Sequence, residues 1–320
     1  MRVELHCHLD GSLNVDFVYE MLKKQGILIQ REELEGKLKV RPDCTSLTEY
    51  LEKFDLPLLC LQTKEGLECA AYQLVMDAAK DNVAYIEVRF APMLSTDKGL
   101  TCEEVIESVI CGLKSGEKKF GVYASVIVCA MRHHSLEQNL EMLRATKPFI
   151  GKGVCALDLA GDESAFPTSQ FRDLFVQAKE WNIPFTIHSG ECGSVDNIRD
   201  AIGFGAKRIG HGIALEKSEE LRLLCKEKGI GIEMCPSSNL QTKAVESLES
   251  YPLKQFLEEG LLVSVHTDNR TVSDTTMQQE ESLVKEQLRI SEEMWEQCTK
   301  NAILTAFASD EIKNELMRRI

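Results

Sequence analysis

The amino-acid sequence predicts an α/β fold, a (β/α)8 TIM barrel, on three observations. Eight short apolar or β-branched runs recur along the chain, and stretches of helical periodicity separate most of them. The runs are nearly continuous in apolar character, as parallel strands covered on both faces are. Strands alternating with helices in this number favour a closed barrel over an open doubly wound sheet. Residues 1–320 are expected to form a single domain, since barrels of this type commonly reach that length around one core.

The first strand is read in VELHCH (3–8). The crossover that follows, residues 9–82, is too long for one helix. SLTEYLEKFDLPLLCLQ and EGLECAAYQLVMDAAKDN are expected to add helices there, and βα insertions of a barrel tend to cover its active site. The second strand is VAYIEVRF (83–90), followed by the helical CEEVIESVICGLKSGEKK. YASVIVCAM (123–131) and GVCALDLAG (153–161) come next, the latter followed by FRDLFVQAKEWN. PFTIHSGE (184–191) and RIGHG (208–212) precede the helical SEELRLLCKEKG, and GIGIEMCP (229–236) and LLVSVHTD (261–268) complete the set. Several helical stretches end at Gly or Asn, as helix stops do. From about Glu280 to Ile320 the pattern is helix without strand, expected to pack outside the barrel. No repeat, low-complexity segment or linker interrupts the series.

Composition narrows the function. A net charge of −14 disfavours general binding to nucleic acid phosphates or anionic membranes, and leaves small ligands as the expected partners. The twelve cysteines include no C-x-x-C pair, and many sit in apolar runs as small buried hydrophobes. The N-terminus, MRVELHCHLDG, carries no apolar signal region, and no apolar stretch is long enough to span a bilayer. These features predict a cytoplasmic protein in a reducing compartment.

The chemistry-bearing residues fall where a barrel builds its active site, at the C-terminal ends of the strands. His6 and His8 share one face of the first strand, because alternate residues of a strand point the same way. His188 lies on the fifth strand and His211 on the sixth, and Asp268 is read as the end of the eighth. A lone histidine is more often a core residue than a ligand, but His-x-His at the mouth of a first barrel strand favours a metal. With His188 and Asp268 it gives three imidazoles and a carboxylate, a set that suits zinc and leaves a position open for water. Iron, cobalt and manganese accept the same ligands. Glu191 follows His188 by three residues in HSGECG, whose glycines let the chain turn back over the metal, and a carboxyl in a dry pocket serves as a proton donor. His211, between glycines, reaches a water there as base or orienter. His133 and His134 read as loop residues, and His266 as packing behind the ligands.

In order and context, ELHCHLDGSL, LDLAGDE, HSGECG, IGHGI and SVHTDN resemble the motif series of the adenosine deaminase family, from Glu4 to about Arg270. The resemblance implies one Zn2+ per chain held by His6, His8, His188 and Asp268. It implies that Glu191 protonates N1 of a purine and that His211 orients or deprotonates the attacking water. Attack at C6 would release ammonia, a purine-salvage reaction. Gly161 would present its backbone to purine N3, and Asp10 would accept a ribose hydroxyl. Asp10 favours a nucleoside, because members specific for free adenine tend to have Glu there. The sequence departs from the pattern twice. Asn269 stands where many members have a second acidic residue, facing purine N7, to which an amide donates as it is. His266 stands where asparagine is frequent.

Three alternatives accompany this reading. Another amidohydrolase with two metals is disfavoured, because the fourth strand ends LDLAGDE without the lysine that often bridges such a pair. A deaminase of adenine or of another 6-aminopurine nucleoside remains within the resemblance. A barrel that only binds a ligand has no need of both an acid and a base. The H-x-E…P-C-x-x-C signature of nucleobase-editing deaminases and the phosphate-binding glycine motifs are absent.

Overall fold

In the computed structural model, which describes residues 1–41, 44, 49–50 and 52–320, eight parallel strands close a barrel. They are β1 (Arg2–His8), β2 (Val83–Phe90), β3 (Tyr123–Met131), β4 (Val154–Ala160), β5 (Thr186–Ser189), β6 (Arg208–His211), β7 (Gly231–Met234) and β8 (Leu262–Val265). Two sheets, β1 to β4 and β5 to β8, pair in sequence order. The bridges Leu157–Phe185 and Cys7–Asp268 join them into a ring. Each sequence-predicted run coincides with one strand, β1 starting one residue earlier, at Arg2. The last four are only four residues long, and the runs of β5 and β8 continue into turns that carry the candidate site residues Glu191 and Asp268.

The helices form where the caps call for them. Thr101 makes a capping box with Glu104 at the start of α1 (Cys102–Phe120), and left-handed Gly121 ends it. Ser218 caps α2 (Glu219–Lys228), which stops at left-handed Gly229. In the first crossover the second expected helix is α3 (Lys64–Lys80), which packs along α1 so closely that Gly112 has no room for a side chain against the Glu68 carbonyl. The first expected helix, 46–62, lies partly outside the described residues; within them it contains a helical turn at Asp55–Cys60.

The C-terminal tail does more than pack outside. α4 (Glu292–Thr305) lies against β8 and β1, where Asn301 Nδ2 donates to the Val263 carbonyl at 2.9 Å. Beyond it, the Phe307 ring lies 4.0 Å from the Arg208 guanidinium and the Phe307 N–H donates to Glu87, so this segment covers the buried charges at the N-terminal mouth of the barrel. Among the described residues no helix is long and apolar enough to cross a membrane.

Candidate active site

The two histidines of β1 point into the barrel, and Cys7 between them turns outward into the apolar layer under the helices. His188 on β5 and His211 at the end of β6 converge on them. Gly210 makes this approach feasible: a Cβ there would lie 3.2 Å from His6 Cε1 and 3.1 Å from His188 Cα. Asp268 is not the end of β8, as the sequence suggested. The strand stops at Val265, and Asp268 sits three residues on, at φ 60°. Its backbone pairs with β1 instead, with His8 N–H donating to its carbonyl at 2.8 Å and its own N–H donating to that of His6 at 2.9 Å. The closure of the barrel therefore seats the carboxylate beside both β1 histidines.

Their ligand atoms crowd one point. His8 Nε2 lies 3.2 Å from His188 Nε2 and 3.4 Å from Asp268 Oδ1, and His6 Nε2 lies 3.3 Å from the same oxygen. Donors about 2.0–2.1 Å from a tetrahedral metal stand about 3.3 Å apart. His6 Nε2 is buried and has no hydrogen-bond partner, so a lone pair waits there. These residues fit a zinc ion. His211 also belongs to the crowd: with His6, His188 and Asp268 it offers atoms all within 4.8 Å of one another. The geometry alone thus brings five side chains together, one more than the set expected from the sequence.

Carboxylates stand behind two of the imidazoles. His6 Nδ1 lies 2.8 Å from Glu233 Oε2, and His188 Nδ1 lies 2.8 Å from Asp158 Oδ2, the latter an ionic contact whose angle falls short of a hydrogen bond. Arg89 links both acids, at 2.8 Å to Asp158 and 2.7 Å to Glu233, and Arg208 joins Glu233 to Glu87. Burial pushes His6 down to about 4 and His8 well below the usual imidazole range, which keeps them in the neutral form that binds metal. Burial also lowers His188, but Asp158 outweighs it and the net shift is upward. Burial would raise Asp268, yet the surrounding histidines hold it well below the carboxylate range.

These groups open onto a cavity of about 280 Å3 whose walls include Asp10, Gly161, Glu191, His211 and Asn269, with Leu58, Leu94 and Met131 among its apolar members. Glu191 Oε2 faces His211 Nε2 at 3.5 Å, and Thr242 Oγ1 donates to Glu191 Oε1 at 3.0 Å. Burial pushes Asp10 up to about 6, and the Gly11 N–H donates to it at 3.1 Å. Gly161 adopts φ 106°, a conformation side chains disfavour, so the backbone itself requires glycine there. His133 lines the cavity from its loop, whereas His266 is fully buried outside it. His266 Nδ1 accepts the Leu5 N–H at 3.1 Å and its Nε2 lies 2.7 Å from Ser264 Oγ, so this histidine braces β8 against β1.

The sequence reading missed the residues that hold the site. Asp158, Glu233 and Arg89 each interrupt an apolar strand run, and a charge at such a position in a barrel strand is the signal that marks them. Glu163 accepts from the N–H groups of Gly190 (2.6 Å) and Cys192 (3.1 Å), on either side of Glu191. Ser238 donates to Asp268 Oδ2 at 2.6 Å and Asn239 contacts His211 Nδ1 at 2.9 Å; nothing in CPSSNLQT announces these contacts.

Residues 2–320 match the family model for adenosine deaminase. The chain belongs to the adenosine deaminase family. It is 46% identical to the adenosine deaminase of Enterococcus faecalis over 321 residues, covering 100% of this chain and 95% of that one. Among solved structures it resembles the adenine deaminase of Arthrobacter aurescens (TM-score 0.92, 26% identity, 99% and 97% of the two chains covered). It also resembles the N6-methyl-AMP deaminase of Arabidopsis thaliana (TM-score 0.87, 26% identity, 99% and 95% covered). Family and neighbours make this chain a hydrolase acting on C–N bonds of cyclic amidines on a (β/α)8 barrel.

Proposed function

We propose that the chain hydrolyses adenosine and 2′-deoxyadenosine to inosine and 2′-deoxyinosine plus ammonia, with one Zn2+ per chain held by His6, His8, His188 and Asp268. The observation that carries this is the spacing of those four ligand atoms, 3.2–3.4 Å where measured, beneath a cavity that also holds a carboxyl and a further imidazole. When bound, zinc lowers the pKa of water to about 7 and makes hydroxide available at neutral pH. Glu191, oriented by Thr242, protonates purine N1. That proton withdraws charge from the ring and opens C6 to attack. His211 faces the same space and orients the water. Gly161 presents backbone to N3, Asn269 donates to N7, and Asp10 accepts a ribose hydroxyl.

Relatives act on a base, a nucleoside or a nucleotide, and the cavity favours the nucleoside. The E. faecalis relative, far closer in sequence than the structural neighbours, is named for adenosine. Asp10 and Asp162 are on the cavity wall, and among the described lining residues there is no lysine or arginine to meet a 5′-phosphate. The partner is a small purine nucleoside, with neither nucleic acid nor membrane involved, and the site of action is cytoplasmic. The test is ultraviolet absorbance of metal-analysed protein mixed separately with adenosine, deoxyadenosine, adenine and AMP. Conversion of the nucleosides, lost on chelation, supports the proposal. Conversion of adenine or AMP alone overturns the substrate, and no conversion by zinc-loaded protein overturns the reaction.

A further inference from the structure

We infer that Asn239 fixes the tautomer of His211, so that this imidazole presents an N–H rather than a lone pair to the reacting water and stays out of the metal's ligand set. The inference deepens the proposed function, on which it rests for the role of His211. Five side chains crowd the site, and three of the imidazoles are backed differently. An ionised carboxylate only accepts, so the hydrogen bond to Glu233 draws the His6 proton to Nδ1, and the charge of Asp158, 2.8 Å from His188 Nδ1, favours the same placement, leaving the Nε2 lone pairs facing inward. Behind His211 stands an amide. Asn239 Nδ2 lies 2.9 Å from His211 Nδ1, and an amide nitrogen only donates, so Nδ1 is the acceptor and the neutral ring carries its proton on Nε2.

The orientation of the amide is itself fixed. Tyr251 donates its hydroxyl proton to Asn239 Oδ1 at 2.9 Å. Oδ1 is thereby claimed and Nδ2 is left for His211. All three groups are buried, so water does not compete for these bonds. His211 Nε2 lies 3.5 Å from Glu191 Oε2, and both residues line the cavity in which the proposed water and substrate meet. His211 then acts as a hydrogen-bond donor that orients the water's oxygen. Asn239 is a positioning residue that acts through it.

The decisive measurement is the tautomer, read from 15N spectra of histidine-labelled, zinc-loaded protein without substrate, with the His211 signals assigned by their loss in His211→Gln. The expected spectrum shows a protonated Nε2 and a pyridine-type Nδ1 for His211. A protonated Nδ1 in the wild-type protein overturns the inference while leaving the deaminase reading intact. Asn239→Asp places a carboxylate behind the ring and is expected to move the proton to Nδ1. Its kcat is expected to fall on the order of 10²- to 10⁴-fold, the scale seen when a catalytic histidine is held in the wrong tautomer, with KM changed less than about threefold. Wild-type kcat in a variant whose spectrum shows the switched proton equally overturns it.

Discussion

Glu163→Gln tests whether the loop bearing the acid is held from behind. The Glu163 carboxylate is buried and takes one backbone N–H on each oxygen, Gly190 at 2.6 Å and Cys192 at 3.1 Å. Glu191 is the residue between them. Glutamine keeps one acceptor oxygen and turns an NH2 toward the other N–H, so one charge-assisted bond is lost and a buried donor is left unpaired. That costs about 1–3 kcal/mol. Gly190 sits at φ 85°, and besides these two bonds the loop is held by the Ala214 N–H, which donates to the Gly190 carbonyl at 3.1 Å, and by Thr242 on Glu191, so only part of that cost falls on the loop. If about 2 kcal/mol falls on the ordered position of the loop, the fraction with Glu191 in place drops about 30-fold. The assay is kcat/KM for adenosine beside the unfolding midpoint and bound metal. A loss of roughly 10- to 100-fold with metal content unchanged is expected. Loss below about twofold in folded protein would refute the clamp.

Other perturbations separate the remaining roles. His188→Ala is expected to lower bound zinc well below one per chain by metal analysis; unchanged stoichiometry would remove His188 from the ligands. Asp10→Ala should reduce adenosine turnover more than any residual adenine turnover, and equal losses would mean Asp10 does not read the ribose. Glu280 is wholly buried, and burial pushes it up to about 7 from an ordinary 4.5. The native chain therefore keeps a proton that the unfolded chain releases at about 4.5, so this group's stabilisation is full below 4.5 and lost as pH rises to about 7. At about 1.4 kcal/mol per unit the swing is about 3 kcal/mol. Glu280→Gln should match the wild type in denaturant unfolding at pH 4.5 and exceed it at pH 8, whereas parallel pH curves would falsify the linkage.

The barrel was legible because parallel strands buried on both faces leave a pattern, and every strand run was found. The ends were not. β6 ends at His211, at φ 63°, and β8 ends three residues before Asp268, at φ 60°; nothing in their apolar runs marks where the chain turns left-handed. The candidate residues that line the cavity were legible because their types are unusual at or just beyond strand ends. Their supports were less so. Ser238 and Asn239, on a short helix (Pro236–Gln241), and Thr242 just after it reach Asp268, His211 and Glu191, and such contacts depend on tertiary packing that a single segment does not encode. The same holds for Glu163, buried where it accepts from the Gly190 and Cys192 N–H groups, contacts its own segment does not announce.

The buried charges beneath the site are the costliest feature of the fold, and their arrangement argues for function over stability. Arg89 contacts Asp158, Glu233 and the Leu5 carbonyl with all its partners inside the barrel. Apolar side chains fill such layers in other barrels and avoid the desolvation that ion pairs incur. What the charges supply is a pair of ionised carboxylates at the Nδ1 atoms of His6 and His188, which apolar packing cannot provide. Arg89→Met removes the cation both acids share and leaves Asp158 without its strongest guanidinium partner. Breaking a buried pair from one side costs about 3–5 kcal/mol, so the variant should unfold at lower denaturant. Loss of support behind the ligands weakens metal binding by about 10- to 100-fold. The two effects separate when zinc affinity is measured by competition with a chelator far below the unfolding midpoint. Arg89→Lys keeps the charge but not the planar fork that meets two acids at once, and should recover stability more than affinity. A zinc affinity equal to wild type in folded Arg89→Met would mean that the acids hold their histidines without help, and that the ionic layer serves the fold alone.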